Sequence, residues 1–269
     1  MLRLPPPRES DPEWTNLREH DIQERWDPTI APWVATEHAA RIGHAKEVIA
    51  GQTNVPAKVL DVGCAQGTLG HLLSEQGFDV TLVDVRSSHI EYSRARSEPR
   101  PSLHFCVGLV PDVPATADFD VITCTEVIEH MPTAFGLLEG LRQKCRVGGV
   151  VYLTTPNGDY RLSDLPTYAD VTGAVLAEME VNSDDGNDHQ FAYTLDEMTS
   201  IVKAAGFTIL ESGVFLPFWL VGYGKSAPVH RLHLRVRGRP IRHRSPRHWK
   251  SMISRSICTS LYIVAKRTD

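Results

Sequence analysis

One short segment limits the possible folds of this chain more than any other. Residues 59–67 read Val-Leu-Asp-Val-Gly-Cys-Ala-Gln-Gly, so a buried-strand pattern passes directly into a turn of small residues and then into a helical pattern. The next apolar run along the chain ends on Asp84. In an open α/β sheet, a glycine turn after one strand and a carboxylate after the next lie at the edge where nucleoside cofactors bind. The segment therefore predicts such a cofactor site.

The chain after residue 56 alternates strand and helix patterns. Strands are predicted at 58–62, 80–84, 103–107, 119–123, 148–154, 207–214 and 257–265, and helices at 67–76, 87–97, 133–146 and 194–205. Ser87 is a candidate N-cap, and Thr194 with Glu197 forms a plausible capping box. This rhythm predicts a Rossmann-like α/β fold, with a mostly parallel sheet and helices on both faces.

Three segments lie outside that alternation. Residues 1–54 carry two helical patterns, 13–26 and 33–50, and are predicted to form an N-terminal helical cap on a main domain of residues 55–269. Residues 156–193 and 222–256 are much longer than the connections that such a sheet needs. We expect both insertions to shape the substrate pocket.

Composition indicates a cytoplasmic protein without a membrane span. No apolar stretch is long enough to cross a bilayer, and the N-terminus lacks the apolar core of a secretory signal. The five cysteines are odd in number and show no metal-binding spacing, which favours reduced thiols. The acceptor molecule and the oligomeric state, a homodimer included, are left open.

The net charge of −5 conceals an uneven distribution. Residues 212–268 contain twelve Lys or Arg and no Asp or Glu, so a basic tail follows an acidic body. One interpretation is an anionic partner such as RNA or a phosphorylated substrate. The other, which we favour, is docking of the tail on the acidic body or on a second subunit.

Several motifs together resemble those of class I S-adenosylmethionine (SAM) dependent methyltransferases. They are the Leu-Asp-Val-Gly-Cys-x-x-Gly run from Leu60, Val83-Asp84, the Phe-Asp-Val-Ile run from Phe119, the segments 147–150 and 154–157, and the Ala-Ala-Gly-Phe run ending at Phe207. The resemblance implies a seven-stranded sheet with an antiparallel last strand. It implies cofactor contacts from Asp61, Gly63, Cys64, Ala65, Gly67, Asp84, Val85, Gly108, Leu109 and Thr125. Of these, Asp61 could accept a hydrogen bond from the amino group of SAM, and Asp84 could bind both ribose hydroxyls.

Two positions depart from that family pattern. Ala65 stands where many members have glycine, which is a mild change. Residues 107–109 read Val-Gly-Leu where many members place an acidic residue near the adenine amine. The adenine contact is therefore the least defined part of the predicted cofactor site.

The segment after the fourth strand carries the candidate catalytic residues Glu126, Glu129 and His130. If it forms one helical turn, the three side chains project from one side, and two carboxylates so close would repel unless a cation or a proton lies between them. With His189 from the first insertion, they form a reasonable ligand set for Mg²⁺ or Mn²⁺. The alternative is that the glutamates only favour a helix start, and that His130 is a general base without a metal.

This four-residue set resembles the magnesium site of small-RNA methyltransferases that modify the 2′-hydroxyl of a 3′-terminal ribose. The Glu-x-x-Glu-His part alone is similar to ubiquinone-pathway and sugar O-methyltransferases. We expect a metal-assisted O-methyltransferase acting on a vicinal diol of a sugar, glycoside or related small molecule. The alternatives are an RNA 2′-O-methyltransferase, a metal-free enzyme, and a nonenzymatic SAM-binding protein. The histidines at 20, 38, 44, 71 and 104 are interpreted as surface or satisfied core residues.

Overall fold

The computed structural model describes residues 1–114, 118–131, 133–171, 191–217 and 252–269. Its helices are α1 (Pro12–Asp21), α2 (Pro32–Gln52), α3 (Thr68–Glu75), α4 (Ser87–Ala95), α5 (Ala134–Lys144), α6 (Leu195–Ala204) and α7 (Met252–Ile257). Its strands are β1 (Lys58–Val62), β2 (Asp79–Asp84), β3 (Leu103–Val107), β4 (Phe119–Thr125), β5 (Cys145–Pro156), β6 (Phe207–Pro217) and β7 (Cys258–Arg267). A π-helical turn at Ile22–Trp26 continues α1.

The seven strands form one sheet in the order β3-β2-β1-β4-β5-β7-β6. Strands β1 to β5 pair in parallel, and β7 runs antiparallel to both β5 and β6. Residues of β1 and β4 are almost all buried, as expected for parallel strands that helices cover on both faces. This architecture confirms the predicted Rossmann-like α/β fold with its antiparallel last strand.

The predicted strands and helices are present, but several ends differ. The apolar pattern predicts a fifth strand of residues 148–154, whereas β5 runs from Cys145 to Pro156. Its far end is extended because Thr155 and Pro156 pair with Leu261 and Ser260 of β7. These partners are distant in sequence, so the local pattern does not reveal them.

Two hydrophobic layers cover the sheet. On one face, Ala45 and Ile49 of α2 pack with α3 residues such as Leu73. On the other face, Leu138 of α5 and Met198 of α6 lie in a second cluster. Helix α2 of the N-terminal segment is thus part of the helical layer that covers one face of the main sheet.

The first helix is joined to α4 by a small buried cluster. Trp14 packs edge-to-face on Tyr92, with 5.0 Å between ring centroids. Asp21 at the end of α1 pairs with the fully buried guanidinium of Arg96, at 2.5 Å. Arg96 also donates to the Gln66 carbonyl and to the Thr68 hydroxyl, both at 2.7 Å. The N-terminal segment is therefore fastened to the turn between β1 and α3.

The two predicted helix caps have different outcomes. The capping box is confirmed, because Thr194 and Glu197 exchange side-chain to backbone hydrogen bonds at the start of α6. The Ser87 N-cap is wrong, since Ser87 is the first helical residue and Arg86 precedes the helix. The Arg86 amide instead donates to the Asp84 carboxylate at 3.0 Å, so the strand-end aspartate organises this turn.

The two ends of the first insertion run beside each other. Asn157 bridges to Tyr193, and Thr167 bridges to Ala192. Tyr168, Phe191 and Tyr193 form an aromatic cluster with ring centroids 5.0 to 5.4 Å apart. Residues 172–190, and most of the second insertion and of the basic tail, lie outside the described residues.

The structure bears on two further predictions, one about the cysteines and one about membrane-spanning helices. All five cysteines are free thiols, four of them buried and Cys106 partly exposed, as the odd count predicts. None of the helices that the structure describes combines the length and the apolar composition that crossing a bilayer requires.

Candidate active site

The predicted cofactor residues converge on the carboxyl ends of β1 to β4. Strand β1 is flanked by β2 on one side and by β4 on the other, so the strand order reverses here. Ligands of open α/β sheets bind at such a switch point. The described site residues at this edge are Asp61, Gly63, Cys64, Ala65, Gly67, Asp84, Val85, Gly108, Leu109 and Thr125.

The turn between β1 and α3 requires glycine at two positions. Gly63 and Gly67 have φ of +64° and +73°. A side chain at Gly63 would come within 2.3 Å of Val127 Cγ2, and one at Gly67 within 2.2 Å of Ser93 Oγ. Both glycines combine a left-handed backbone with close neighbours, which only glycine tolerates without strain. The backbone of the turn therefore packs closely against the loop after β4 and against α4.

Asp61 is hydrogen-bonded within the protein. Its buried carboxylate accepts the Thr123 hydroxyl at 2.7 Å and a hydrogen bond from the Gly70 amide in the first turn of α3. Burial raises the pKa of Asp61 to about 6. The structure thus uses Asp61 to anchor the first turn of α3 to strand β4. The predicted contact with the amino group of SAM stays a prediction.

Asp84 has a different environment at the end of β2. Its carboxylate accepts the amides of Ala65 at 2.9 Å and Arg86 at 3.0 Å, and the Nδ1 atom of His89 lies 3.3 Å away. Burial would raise the pKa of Asp84, but His89 and the two amides outweigh it and lower that pKa. Asp84 is therefore an ionised, oriented acceptor, as binding of two ribose hydroxyls requires.

An apolar surface lies beside Asp84. Val85 after β2, Val107 at the end of β3 and Leu109 after it are all exposed. The Gly108 amide donates to the Asp84 carbonyl at 2.9 Å, which holds this segment next to the β2 end. Exposed apolar side chains next to an oriented carboxylate fit a nucleoside, whose base has flat faces suited to apolar contact and whose ribose carries paired hydroxyls.

The loop after β4 is not the single helical turn that the spacing of Glu126, Glu129 and His130 suggests. Glu126 has a left-handed backbone with φ of +54°, and only Ile128–His130 form a 3₁₀ turn. The Glu126 amide still donates to the Thr154 carbonyl at 3.0 Å, continuing the hydrogen bonding between β4 and β5. The left-handed backbone at Glu126 prevents a helix from starting there, so the turn itself directs its side chain.

Glu126 is held from two sides. Its Oε1 atom accepts the Thr154 hydroxyl at 2.9 Å. Its Oε2 atom lies 3.2 Å from the Nη2 atom of Arg41, which comes from helix α2. The same Nη2 atom is 2.7 Å from Glu37 Oε1, one turn earlier on α2. The cap therefore contributes a cation to the loop that carries the candidate catalytic residues.

Glu129 lies deeper than Glu126. Its side chain is fully buried, and its Oε2 atom accepts the Thr155 hydroxyl at 3.0 Å. Burial raises the pKa of Glu129 well above its ordinary range, and the nearby charge of Glu126 acts in the same direction. Two features therefore relieve the repulsion between Glu126 and Glu129. Arg41 provides a nearby cation, and the raised pKa of Glu129 favours a bound proton on that carboxyl.

The predicted metal set is only partly within the described residues. Glu126, Glu129 and His130 share one loop, whereas His189 lies outside the described part of the chain. Within that part, no three His, Cys, Asp or Glu side chains are grouped to hold a metal ion. The described donors do not fit a divalent ion, since Arg41 and Thr154 already lie against the two oxygens of Glu126.

Sequence reasoning missed the contribution of α2 and of His89. Glu37 and Arg41 are four residues apart, the spacing of a helical ion pair, but nothing local links that pair to residue 126. Tyr193, buried at the end of the first insertion, was also missed. Burial raises the pKa of its phenol, and the charge of nearby Glu129 acts in the same direction.

Three of the five histidines that were interpreted as surface or satisfied core residues have such environments. His71 is fully buried, with its Nε2 atom 2.9 Å from the Ser93 carbonyl. His44 contacts the Tyr152 hydroxyl at 2.7 Å and stacks on Phe215. His104 is exposed beside Asp79. These histidines are core or surface residues.

Comparison with known families identifies the fold as that of a methyltransferase. A family model described as a methyltransferase domain matches residues 35–212, about two thirds of the chain and the whole of the site described above. The chain belongs to this methyltransferase-domain family. The match begins within α2, so it includes Arg41 together with the cofactor turn and the loop after β4.

Proteins similar to this chain include ubiquinone biosynthesis O-methyltransferases. The protein of Xanthomonas campestris pv. campestris is 30% identical over 115 residues, covering 41% of this chain and 48% of that protein. The protein of Rickettsia canadensis is 27% identical over 157 residues, covering 57% and 64%. This chain therefore spans about half to two thirds of the length of these relatives.

Solved structures share the fold at low sequence identity. A SAM-dependent methyltransferase from Mesorhizobium loti superposes with a TM-score of 0.55 at 14% identity, covering 86% of this chain and 98% of that one. Phosphoethanolamine N-methyltransferase 2 of Haemonchus contortus, in complex with SAM, gives 0.53 at 14% identity, covering 81% and 50%. Because this fold occurs in N-methyltransferases too, the fold by itself does not select the acceptor atom.

Proposed function

We propose that this protein is a SAM-dependent O-methyltransferase that acts on a hydroxyl group of a small molecule. The main support is the contact between the cofactor turn and the loop after β4, where Val127 packs against Gly63. That contact brings Glu126, Glu129 and His130 next to the predicted cofactor edge. The O-methyltransferase names of the relatives favour oxygen as the acceptor atom.

Bound at the edge of β1 to β4, SAM would supply an electrophilic methyl group. Asp84 is suited to accept hydrogen bonds from the ribose hydroxyls, and Val85 and Leu109 to contact the adenine. The amino group of SAM would be bound near Asp61. These roles rest on the fit of the residues to a nucleoside.

For the acceptor, His130 is our candidate general base. It would take the proton of the hydroxyl as the new oxygen–methyl bond forms and the sulfur–methyl bond breaks. The products are a methyl ether and S-adenosylhomocysteine. The buried carboxyl of Glu129 has a raised pKa. It would therefore be protonated and would donate a hydrogen bond to a nearby oxygen of the methyl-accepting molecule.

A metal-assisted reaction on a vicinal diol is the other version. It needs Mg²⁺ or Mn²⁺ on Glu126, Glu129, His130 and His189, and the chelating acceptor would be a sugar or a glycoside. We favour the metal-free version because Arg41 pairs with Glu126. A sugar or glycoside remains our preferred acceptor class, with a ribose at an RNA 3′-end as the alternative.

The first experiment measures methyl transfer from isotope-labelled SAM to a panel of glycosides, catechols and short RNAs, with matched amines as controls. We expect an O-methyl ether, which mass spectrometry identifies. Transfer only to amines would refute oxygen as the acceptor atom. If S-adenosylhomocysteine failed to raise the melting temperature, the proposal of SAM binding would be refuted without any acceptor.

The catalytic role of the loop is tested with Glu129→Ala. Turnover should be abolished, while the melting-temperature shift on adding S-adenosylhomocysteine stays close to that of the wild type. Full activity in this variant would remove Glu129 from both the metal and the metal-free versions. Glu139→Ala, a change in α5, is the control and should keep activity.

A further inference from the structure

Arg41 provides a positive charge to the carboxylates after β4. Its Nη2 atom is 2.7 Å from Glu37 and 3.2 Å from Glu126. The cation is therefore matched to an acidic cluster that spans helix α2 and the loop.

The position of Arg41 conflicts with a divalent ion at the same carboxylates. A hard cation needs charged carboxylate oxygens directed at it. In this site, Thr154 donates to one oxygen of Glu126, and Arg41 lies against the other. A guanidinium beside that second oxygen would repel a divalent ion, so the two cations compete for one place.

The geometry also gives Arg41 a positioning role. Glu126 has a left-handed backbone, which a non-glycine residue keeps only when its surroundings hold it. Thr154 and Arg41 hold its carboxylate from two sides. The side chain of Arg41 is 35% exposed and that of Glu126 is 15% exposed, so the pair lies at the margin of the site rather than in the core.

We propose, on the basis of the proposed O-methyltransferase function, that Arg41 takes the place of a divalent cation at the acceptor site. Arg41 is a positioning residue, which orients Glu126 and balances its charge without a metal. The acceptor is then bound by hydrogen bonds and not by chelation. An isolated hydroxyl is sufficient, and a vicinal diol is not required.

The test is a Mn²⁺ titration of the full chain followed by electron paramagnetic resonance, with S-adenosylhomocysteine present. The wild type should show no site that depends on Glu126. Arg41→Ala should gain a Mn²⁺ site that the wild type lacks, because the competing charge is gone. The double variant Arg41→Ala/Glu126→Gln should lose the new site.

Two further variants separate this role from a purely structural one. Arg41→Lys keeps the charge and should behave like the wild type. Glu37→Gln removes the other partner of Arg41 but keeps the cation, so it should also gain no Mn²⁺ site. A salt bridge that only fastened the cap would change stability in these variants, but it would not create a Mn²⁺ signal that depends on Glu126.

Two results would overturn the proposal. One is a Mn²⁺ site in the wild type that Glu126→Gln removes, and this comparison holds even if Arg41→Ala does not fold. The other is a folded Arg41→Ala variant that binds Mn²⁺ no better than the wild type. Neither result needs an acceptor or turnover, whereas failure of the proposed function would appear as absent methyl transfer or an absent thermal shift with S-adenosylhomocysteine.

Discussion

Two residues with left-handed backbones lie on opposite sides of the candidate site. Ala65 has φ of +47° and Glu126 has φ of +54°. Such a conformation costs an L-residue about 1–2 kcal/mol. At each position the amide makes a specific bond, from Ala65 to the Asp84 carboxylate and from Glu126 to the Thr154 carbonyl. The surrounding structure thus holds both residues where the turn and the loop need them.

Replacing Ala65 by glycine should stabilise the protein. The variant relieves about 1–2 kcal/mol of backbone strain and loses about 0.4–1 kcal/mol through greater freedom of the unfolded chain. We expect the free energy of unfolding to rise by about 0.5–1 kcal/mol in a denaturant titration, from the difference of those two effects. The matched control is Ala39→Gly, at an exposed position inside α2, which should lose about 1 kcal/mol. Equal losses in both variants would contradict strain at Ala65.

At the scale of elements, the decisive contacts are those that join the N-terminal helices to the site. Arg96 binds Asp21 at the end of α1, the Gln66 carbonyl in the cofactor turn and the Thr68 hydroxyl at the start of α3. Gln66 in turn donates to the Leu17 carbonyl of α1 at 3.3 Å. Helix α2 then delivers Arg41 to Glu126. The cap is therefore part of the site's construction.

Removing one partner of the buried pair should be costly. Asp21→Ala leaves the guanidinium of Arg96 buried without its counter-ion, so we expect a loss of about 3–5 kcal/mol in the free energy of unfolding. The double variant Asp21→Leu/Arg96→Met should lose less than Asp21→Ala alone, because no buried charge remains.

The control for that prediction is an exposed ion pair. Glu98 pairs with Arg3, and both side chains are more than half exposed. Glu98→Ala should cost less than about 1 kcal/mol. If Asp21→Ala cost no more than Glu98→Ala in thermal and denaturant unfolding, the buried pair would not fasten the cap.

At the scale of the whole molecule, buried acids and histidines act on stability in opposite directions with pH. Burial raises the pKa of Glu24 to about 7, and burial lowers the pKa values of His38 and His71 to about 4. The contribution of Glu24 to the free energy of unfolding falls as pH rises through its folded pKa. The contribution of the histidines rises with pH up to about 6.5, the range in which the unfolded chain releases their protons. The two effects oppose each other below about pH 6.5, the ordinary histidine pKa.

Glu24→Gln isolates the acidic contribution. In the folded protein, Glu24 binds a proton from its unfolded pKa of 4.5 up to about 7, so the wild type loses stability over that window. The neutral variant should match the wild type below pH 4.5 and exceed it by about 3–3.5 kcal/mol at pH 8, since each of the roughly 2.5 pKa units is worth about 1.4 kcal/mol. Melting temperatures across pH measure this difference. Glu19→Gln, at an exposed position on α1, should run parallel to the wild type, and a Glu24→Gln profile that did the same would refute the raised pKa.

Much of the fold was predictable because its signals are local. The apolar runs of β1, β2 and β4, the glycine turn and the Thr194 capping box each follow from neighbouring residues. The C-terminal end of β5 did not, because its partners in β7 lie more than a hundred residues away. Ser87 was misassigned as a cap for a different and local reason, since the Asp84 carboxylate, two residues before Arg86, already accepts the amide of that turn.

By itself, the sequence determined the type of fold, the edge of the sheet at which a cofactor is predicted to bind, and the identity of the loop that carries Glu126, Glu129 and His130. The tertiary structure alone decided how those residues are used. It brought Arg41 of α2 to Glu126, buried Glu129 beside Thr155, and joined Asp61 to Thr123. Periodicity reports which face of an element is buried, but the charge balance of a site depends on which distant side chain arrives there.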